Sequence, residues 1–137
     1  MKKTKQGYYK NRHASFLLQY HLVLVTKYRK PVLQNKVDEF IKDYTARYLN
    51  SNKCNVIEIE SNLDHIHILF ETPATINLTN LINGLKTVSA RMARQRFKNE
   101  LSQYYLKPYF WSRSYFIVTI SERNAQMVKE YIKNQQD

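Results

Sequence analysis

His65 and His67 stand two residues apart in an apolar run completed by Ile66, Ile68, Leu69 and Phe70, with Asp64 just before them. Alternate residues of a strand project to one face, so the two imidazoles would stand side by side, about 7 Å apart at their backbones. Both could then reach one cation, and imidazole is a common ligand of divalent metals. Near the other end, Tyr131 and Gln135 lie four residues apart in a segment of helical character, a spacing that puts them on one helix face. A phenol is a potential nucleophile, and a side-chain amide oxygen suits a hard divalent ion. A nucleophile and a third ligand would therefore arrive on the same helix. Each residue also has a plainer reading. Paired histidines on an exposed sheet face serve as polar surface or base-stacking groups, and Tyr131, bordered by Val128 and Ile132, could simply pack its helix.

The elements that would carry these residues follow from periodicity. Residues 16–27 are rich in strand formers and are closed off by Pro31. Val37, Phe40, Ile41, Tyr44 and Tyr48 recur at helical spacing, which predicts an amphipathic helix over 33–50. Strands are expected at 56–60 and 65–71, joined as an antiparallel hairpin by the turn-forming cluster Ser61-Asn62-Leu63-Asp64. Leu78, Leu81, Ile82, Leu85, Val88 and Met92 trace one stripe of a long helix over 77–100, interrupted only by Gly84. A fourth strand is expected at 111–120 and a final helix at 124–136. The order β-α-β-β-α-β plus a helix predicts an α+β, ferredoxin-like (RRM-like) fold: a four-stranded antiparallel sheet with two helices on one face and a C-terminal helix carrying the tyrosine. Ile66, Ile68 and Phe70 would face the helices. His65, His67 and Glu71 would face the uncovered side.

A chain of 137 residues is one domain with room for a real core. The single cysteine, Cys54, can form no internal disulfide and has no zinc-ligand spacing, so it is read as a packing residue. No apolar run approaches the roughly 20 residues of a membrane span, and the N-terminus lacks the apolar segment of a signal peptide, so a cytoplasmic protein is expected. The net charge of +11, from 22 Lys and Arg against 11 Asp and Glu, favours a polyanionic partner. The basic residues are scattered over several elements instead of lining one amphipathic helix, which favours nucleic acid over a membrane surface. Residues 1–13 read as a basic arm, and Lys86, Arg91, Arg94, Arg96 and Lys98 as a phosphate-tracking face of the second helix. Eleven tyrosines add flat surfaces on which unpaired bases can stack.

Several motifs in order resemble the HUH single-tyrosine transposases of the insertion-sequence 200/605 group, named for histidine, bulky hydrophobic, histidine. They are Tyr20-His21-Leu22-Val23, Thr26-Lys27-Tyr28-Arg29-Lys30-Pro31-Val32-Leu33, Asp64-His65-Ile66-His67, Trp111-Ser112-Arg113-Ser114-Tyr115-Phe116 and Tyr131-Ile132-Lys133-Asn134-Gln135. The resemblance spans nearly the whole chain. Related repeat-associated tyrosine transposases typically end the last motif in Asn-Pro, whereas Asn134-Gln135 here is similar to the insertion-sequence branch.

The resemblance implies a single-stranded DNA transposase that works as a homodimer on DNA hairpins at mobile-element ends. One Mg²⁺ or Mn²⁺ per site would be held by His65, His67 and Gln135, with Tyr131 forming a 5′-phosphotyrosine link. Asp64 is expected to orient the site from outside the ligand set. DNA contacts are expected from Lys27, Arg29, Lys30, Lys86, Arg91, Arg94, Lys98 and Arg113. In this family the terminal helix, here 123–137, usually completes the partner's site, so trans active sites are expected. Relatives commonly carry glycines before that helix; this chain reads Ile120-Ser121-Glu122-Arg123-Asn124, with Ser121 as a potential cap. Two rival readings remain: a domesticated transposase-derived regulator or nuclease, and a non-catalytic single-stranded nucleic-acid-binding module.

Overall fold

The computed structural model describes residues 3, 9, 10, 15, 16, 18–120 and 124–135. Its strands are β1 (Tyr9–Lys10), β2 (Ser15–Phe16), β3 (Gln19–Val25), β4 (Asn55–Ser61), β5 (His65–Glu71) and β6 (Phe116–Thr119). Its α-helices are α1 (Asn35–Ser51), α2 (Leu78–Arg96), α3 (Lys98–Ser102) and α4 (Asn124–Asn134). The main sheet has the order β4-β5-β3-β6 with every pair antiparallel, the ferredoxin-like plan. β1 and β2 form a separate two-stranded ribbon, so the expected first strand begins at Gln19 and not at Phe16. Most of the expected 1–13 arm lies outside the described residues, as does the joint 121–123.

Alternation sorts the sheet into two faces. Leu22 and Leu24 of β3 pair with Ile68 and Ile66 of β5, and all four are buried against Val37 and Ile41 of α1 and Leu81, Ile82 and Leu85 of α2. Removing these side chains from water supplies the main driving force for one helix-covered core. The expected uncovered face is only half open. Val23 and Val25 form a second, smaller cluster with Phe116, Val118, Tyr131 and Ile132, so α4 lies over the β3–β6 side of the sheet. Glu71 is also less exposed than expected: its carboxylate is fully buried and held by Lys3 Nζ, Gln19 Nε2 and Asn55 Nδ2 at 2.5, 2.5 and 2.8 Å. A buried carboxylate needs such partners.

Two further boundaries differ from the periodicity. The long second helix breaks at Phe97, where φ −122° and ψ 43° leave the helical region and α3 begins afresh. The ring of Phe97 packs on Phe40 of α1, with centroids 5.8 Å apart. The expected strand 111–120 is ordered as a strand only over Phe116–Thr119, with Trp111 forming an isolated bridge to Thr26. Between them, the carbonyls of Ser112, Arg113 and Ser114 all turn toward the Lys86 ammonium instead of a neighbouring strand. Cys54 is buried, and burial pushes its thiol pKa up to about 11, as suits a packing residue.

At Gly84, α2 packs closely against Tyr48 of α1. A Cβ there would collide with the Tyr48 hydroxyl, which donates to the Leu81 carbonyl at 2.8 Å. Overpacking of this kind typically costs about 1–3 kcal/mol, against a helix-propensity gain of about 1 kcal/mol for replacing glycine. Gly84→Ala is therefore expected to lower stability by about 1 kcal/mol in chemical denaturation, and a stabilised variant would contradict the tight crossing.

Candidate functional site

The β3–β5 register builds the site. Val23 stands opposite His67 and Val25 opposite His65, so both imidazoles share the face that carries Val23 and Val25. Glu60 of β4 stands opposite His67 on its other side. The half-open face presents both rings beside the apolar patch under α4, and the His65 side chain retains 17% exposure.

Each ring is held by a different partner. Asp64 Oδ1 lies 2.8 Å from His65 Nδ1, while its Oδ2 accepts from Arg29 Nε at 3.0 Å. The Asp64 carbonyl in turn accepts from the Thr26 amide and hydroxyl, which pins the turn entering β5. A carboxylate can only accept, so it fixes a proton on His65 Nδ1 and leaves the Nε2 lone pair free. His67 instead meets His21: His67 Nε2 and His21 Nδ1 are 2.7 Å apart, and the rings stack with centroids 4.8 Å apart. Burial lowers the pKa of both rings, and His21 lowers that of His67 further while Glu60 opposes the shift. His21 was not singled out as a site residue, although its place in alternation with Val23 and Val25 was readable from the strand pattern.

Tyr131 and Gln135 do come together, at the hydroxyls of Ser112 and Ser114 just before β6. The Tyr131 hydroxyl lies 2.8 Å from Ser114 Oγ, and its ring packs on Phe116 with centroids 5.1 Å apart. Gln135 follows the last residue of α4; its Oε1 accepts from Ser114 Oγ and its Nε2 donates to Ser112 Oγ, both at 3.3 Å. Phe116, Val23 and His67 form one row across β6, β3 and β5. The phenol ring is thus docked on the same sheet face as the imidazoles, against the β3–β6 side. Ser112 and Ser114 were quoted only within a motif. Nothing in their spacing marks them as partners of α4, because the bulge that presents them depends on Lys86.

Among the described residues, no three His, Cys, Asp or Glu side chains converge as a complete ligand set. Two neighbouring imidazoles with defined tautomeric partners still fit an open divalent-cation site, in which other positions are filled by a side-chain amide, water or substrate oxygen.

The basic residues divide into two groups. Lys27 is buried, with its ammonium 5.0 and 5.2 Å from the ring centres of Tyr28 and Tyr109. Arg29 pairs with Asp64, and Lys86 donates to the Ser112, Arg113 and Ser114 carbonyls at 2.9, 3.0 and 3.0 Å. These three expected DNA contacts have roles inside the fold. Lys30, Arg91, Lys98 and Arg113 are exposed, and Arg94 is half-buried. Arg94 and Lys98 border a shallow depression of about 150 Å³ with Lys107 and Tyr109.

A histidine pair and a tyrosine-bearing helix share one face of the sheet, and comparison with known proteins gives the family, one of DNA-processing enzymes. The IS200-like transposase family matches residues 14–135. The ISDra2 transposase TnpA of Deinococcus radiodurans is 32% identical over 131 residues, covering 93% of this chain and 91% of that protein. The transposase for insertion sequence element IS200 of Salmonella typhimurium is 27% identical over 123 residues, covering 90% and 80%. A crystal structure of a Deinococcus radiodurans R1 transposase superposes with a TM-score of 0.85 at 30% identity, covering 93% of this chain and 98% of that one. A REP-associated tyrosine transposase bound to a REP hairpin shares the fold, with a TM-score of 0.58 at 11% identity over 96% of this chain and 70% of that one. The chain belongs to the IS200-like transposase family. No helix among the described residues is long and apolar enough to cross a membrane.

The Lys86 ammonium ties three consecutive carbonyls and so presents Ser112 and Ser114 to α4. Hydrogen bonds to a charged group contribute about 1.5–3 kcal/mol in net terms, more than the 1.4 kcal/mol that corresponds to a tenfold change in a local opening equilibrium. Lys86→Met is expected to speed amide hydrogen exchange over 112–116 by about tenfold or more, with β3 and β5 unchanged. Unchanged exchange in that segment would show that the bulge holds without the ammonium.

Proposed function

We propose that this transposase cuts and rejoins single DNA strands at insertion-sequence ends, using Tyr131 as nucleophile and one divalent cation held at His65 and His67. The observation that carries the reading is the pair of imidazoles on β5, each with a fixed partner, on the same sheet face as the tyrosine-bearing α4. A Mg²⁺ or Mn²⁺ ion at His65 and His67, with Gln135 as third ligand, would polarise the scissile phosphate and balance its developing charge. Two imidazoles favour softer divalent ions by intrinsic affinity, so the choice of Mg²⁺ or Mn²⁺ rests on cellular availability.

The chain's own residues divide the remaining work. Asp64 and His21 hold the two rings. The phenol oxygen of Tyr131, on losing its proton, attacks phosphorus; the phosphorus–O3′ bond breaks and a 3′-hydroxyl leaves. One phosphoester replaces another, so the later attack of a 3′-hydroxyl on the 5′-phosphotyrosine link needs no ATP. Attack requires Tyr131 to leave Ser114, and Gln135 must leave Ser112 and Ser114 with it. A homodimer in which α4 serves the partner subunit's histidines provides one such relocation, and it is the assembly we propose. The DNA partner is single-stranded, with hairpins near the element ends, in keeping with the hairpin bound by the REP-associated structural neighbour. Arg91, Arg94, Lys98, Lys30 and Arg113 are proposed to contact its phosphates.

A purely binding module or a domesticated regulator would share the fold and charge. Tyr131→Phe separates binding from chemistry: it is expected to retain hairpin DNA in gel shifts and to form no covalent adduct on denaturing gels. An undiminished adduct would reject Tyr131 as nucleophile. Neutralising Arg91, Arg94 and Lys98 together should weaken single-strand binding and reduce the log–log salt slope by about 2, at roughly 0.7 per lost phosphate contact. An unchanged slope would take α2 and α3 away from the DNA.

A further inference from the structure

We infer that His21 is a positioning residue for the cation site, holding His67 through Nε2 and leaving its Nδ1 as the nitrogen available to a metal. The inference rests on the proposed metal role of His65 and His67 and adds a residue to it. His21 lies on β3 opposite Leu69, one step diagonal from His67, on the same sheet face. Its Nδ1 is 2.7 Å from His67 Nε2, within the range of an N–H···N hydrogen bond, and the rings stack at an interplanar angle of 23°.

A contact this short between two neutral imidazoles needs one N–H and one lone pair. If His21 donated, the Nε2 lone pair of His67 would be occupied and its Nδ1 would carry the remaining proton, so the ring could ligate nothing. If His67 donates from Nε2 to His21 Nδ1, the Nδ1 lone pair of His67 is free. Only the second direction is compatible with His67 as a ligand. The same logic already operates at His65, whose Nδ1 is held by Asp64 and whose Nε2 is left free. The two ligands would thus bind through different ring nitrogens, each selected by the hydrogen bond at the other nitrogen. His65 leans on a carboxylate that also holds Arg29; His67 leans on a neutral ring held by the neighbouring strand.

The test measures Mn²⁺ alone, without DNA, by titration calorimetry on the full chain, together with the ¹⁵N signature of the His67 ring. His21→Phe keeps an aromatic ring to stack but removes the acceptor, and is expected to bind Mn²⁺ about 10–100-fold more weakly, the usual range for loss of a partner behind a metal ligand. His21→Asn restores a polar atom close to the Nδ1 position and should remain within about threefold of the unmodified chain. In the metal-free protein, the His67 proton is expected on Nε2. Equal or tighter Mn²⁺ binding by His21→Phe, or a His67 proton on Nδ1, would overturn the role of His21. The underlying metal reading fails separately, if His65→Ala and His67→Ala both bind Mn²⁺ as tightly as the unmodified chain. Should His21→Phe fold poorly, the proton position and the Asn variant still decide the matter.

Discussion

The pairing of β3 with β5 is the constraint from which the rest of the structure follows. With Leu22 opposite Ile68 and Leu24 opposite Ile66, four apolar side chains are driven under α1 and α2. The same register leaves His21, His65 and His67 on the opposite face. A slip of β5 by one residue against β3 would turn Ile66, Ile68 and Phe70 outward and carry His65 and His67 into the core. The energy that fixes the core therefore also fixes the site. No separate interaction is needed to bring the histidines together.

The second organising interaction is the Lys86 ammonium. It holds the carbonyls of Ser112, Arg113 and Ser114, β6 starts only at Phe116, and two serine hydroxyls of the same segment meet α4 and Gln135. Phe116 and Val118 give α4 an apolar seat, and the serines give it polar anchors. Those polar anchors are part-buried or exposed. α4 thus lies on the face that carries the imidazoles.

How much of this was legible depends on whether a residue's role is set by its own strand or by a distant partner. The alternation of Ile66, Ile68 and Phe70 against His65 and His67 was readable because period-two patterning and burial act in the same direction. The same held for α1 and α2, whose stripes run over several turns. The break at Phe97 was not readable, since Arg96, Phe97 and Lys98 continue a helix-compatible sequence, and the contacts of Phe97 and Arg96 with the Phe40 ring are made across the fold. The irregular segment 112–115 was hidden for a related reason: Trp111 before it and Phe116, Ile117, Val118 and Thr119 after it read as one continuous strand, while the ammonium that its carbonyls meet comes from Lys86, 26 residues before Ser112. The internal partners of Lys27 and Arg29 were not readable either, because charge is visible in a sequence and the groups it meets in the fold are not. His21 sat in view within a quoted motif, but its meaning came only from the strand pairing that sets it beside His67.

The claim on which the functional account stands is that His65 and His67 grip a divalent cation on the half-open face. Anomalous diffraction from crystals of the chain grown with Mn²⁺ tests it directly. The account predicts a manganese peak within bonding distance of one nitrogen from each of these two rings. Peaks confined to other parts of the molecule, with both rings left unligated in crystals rich in Mn²⁺, would contradict it.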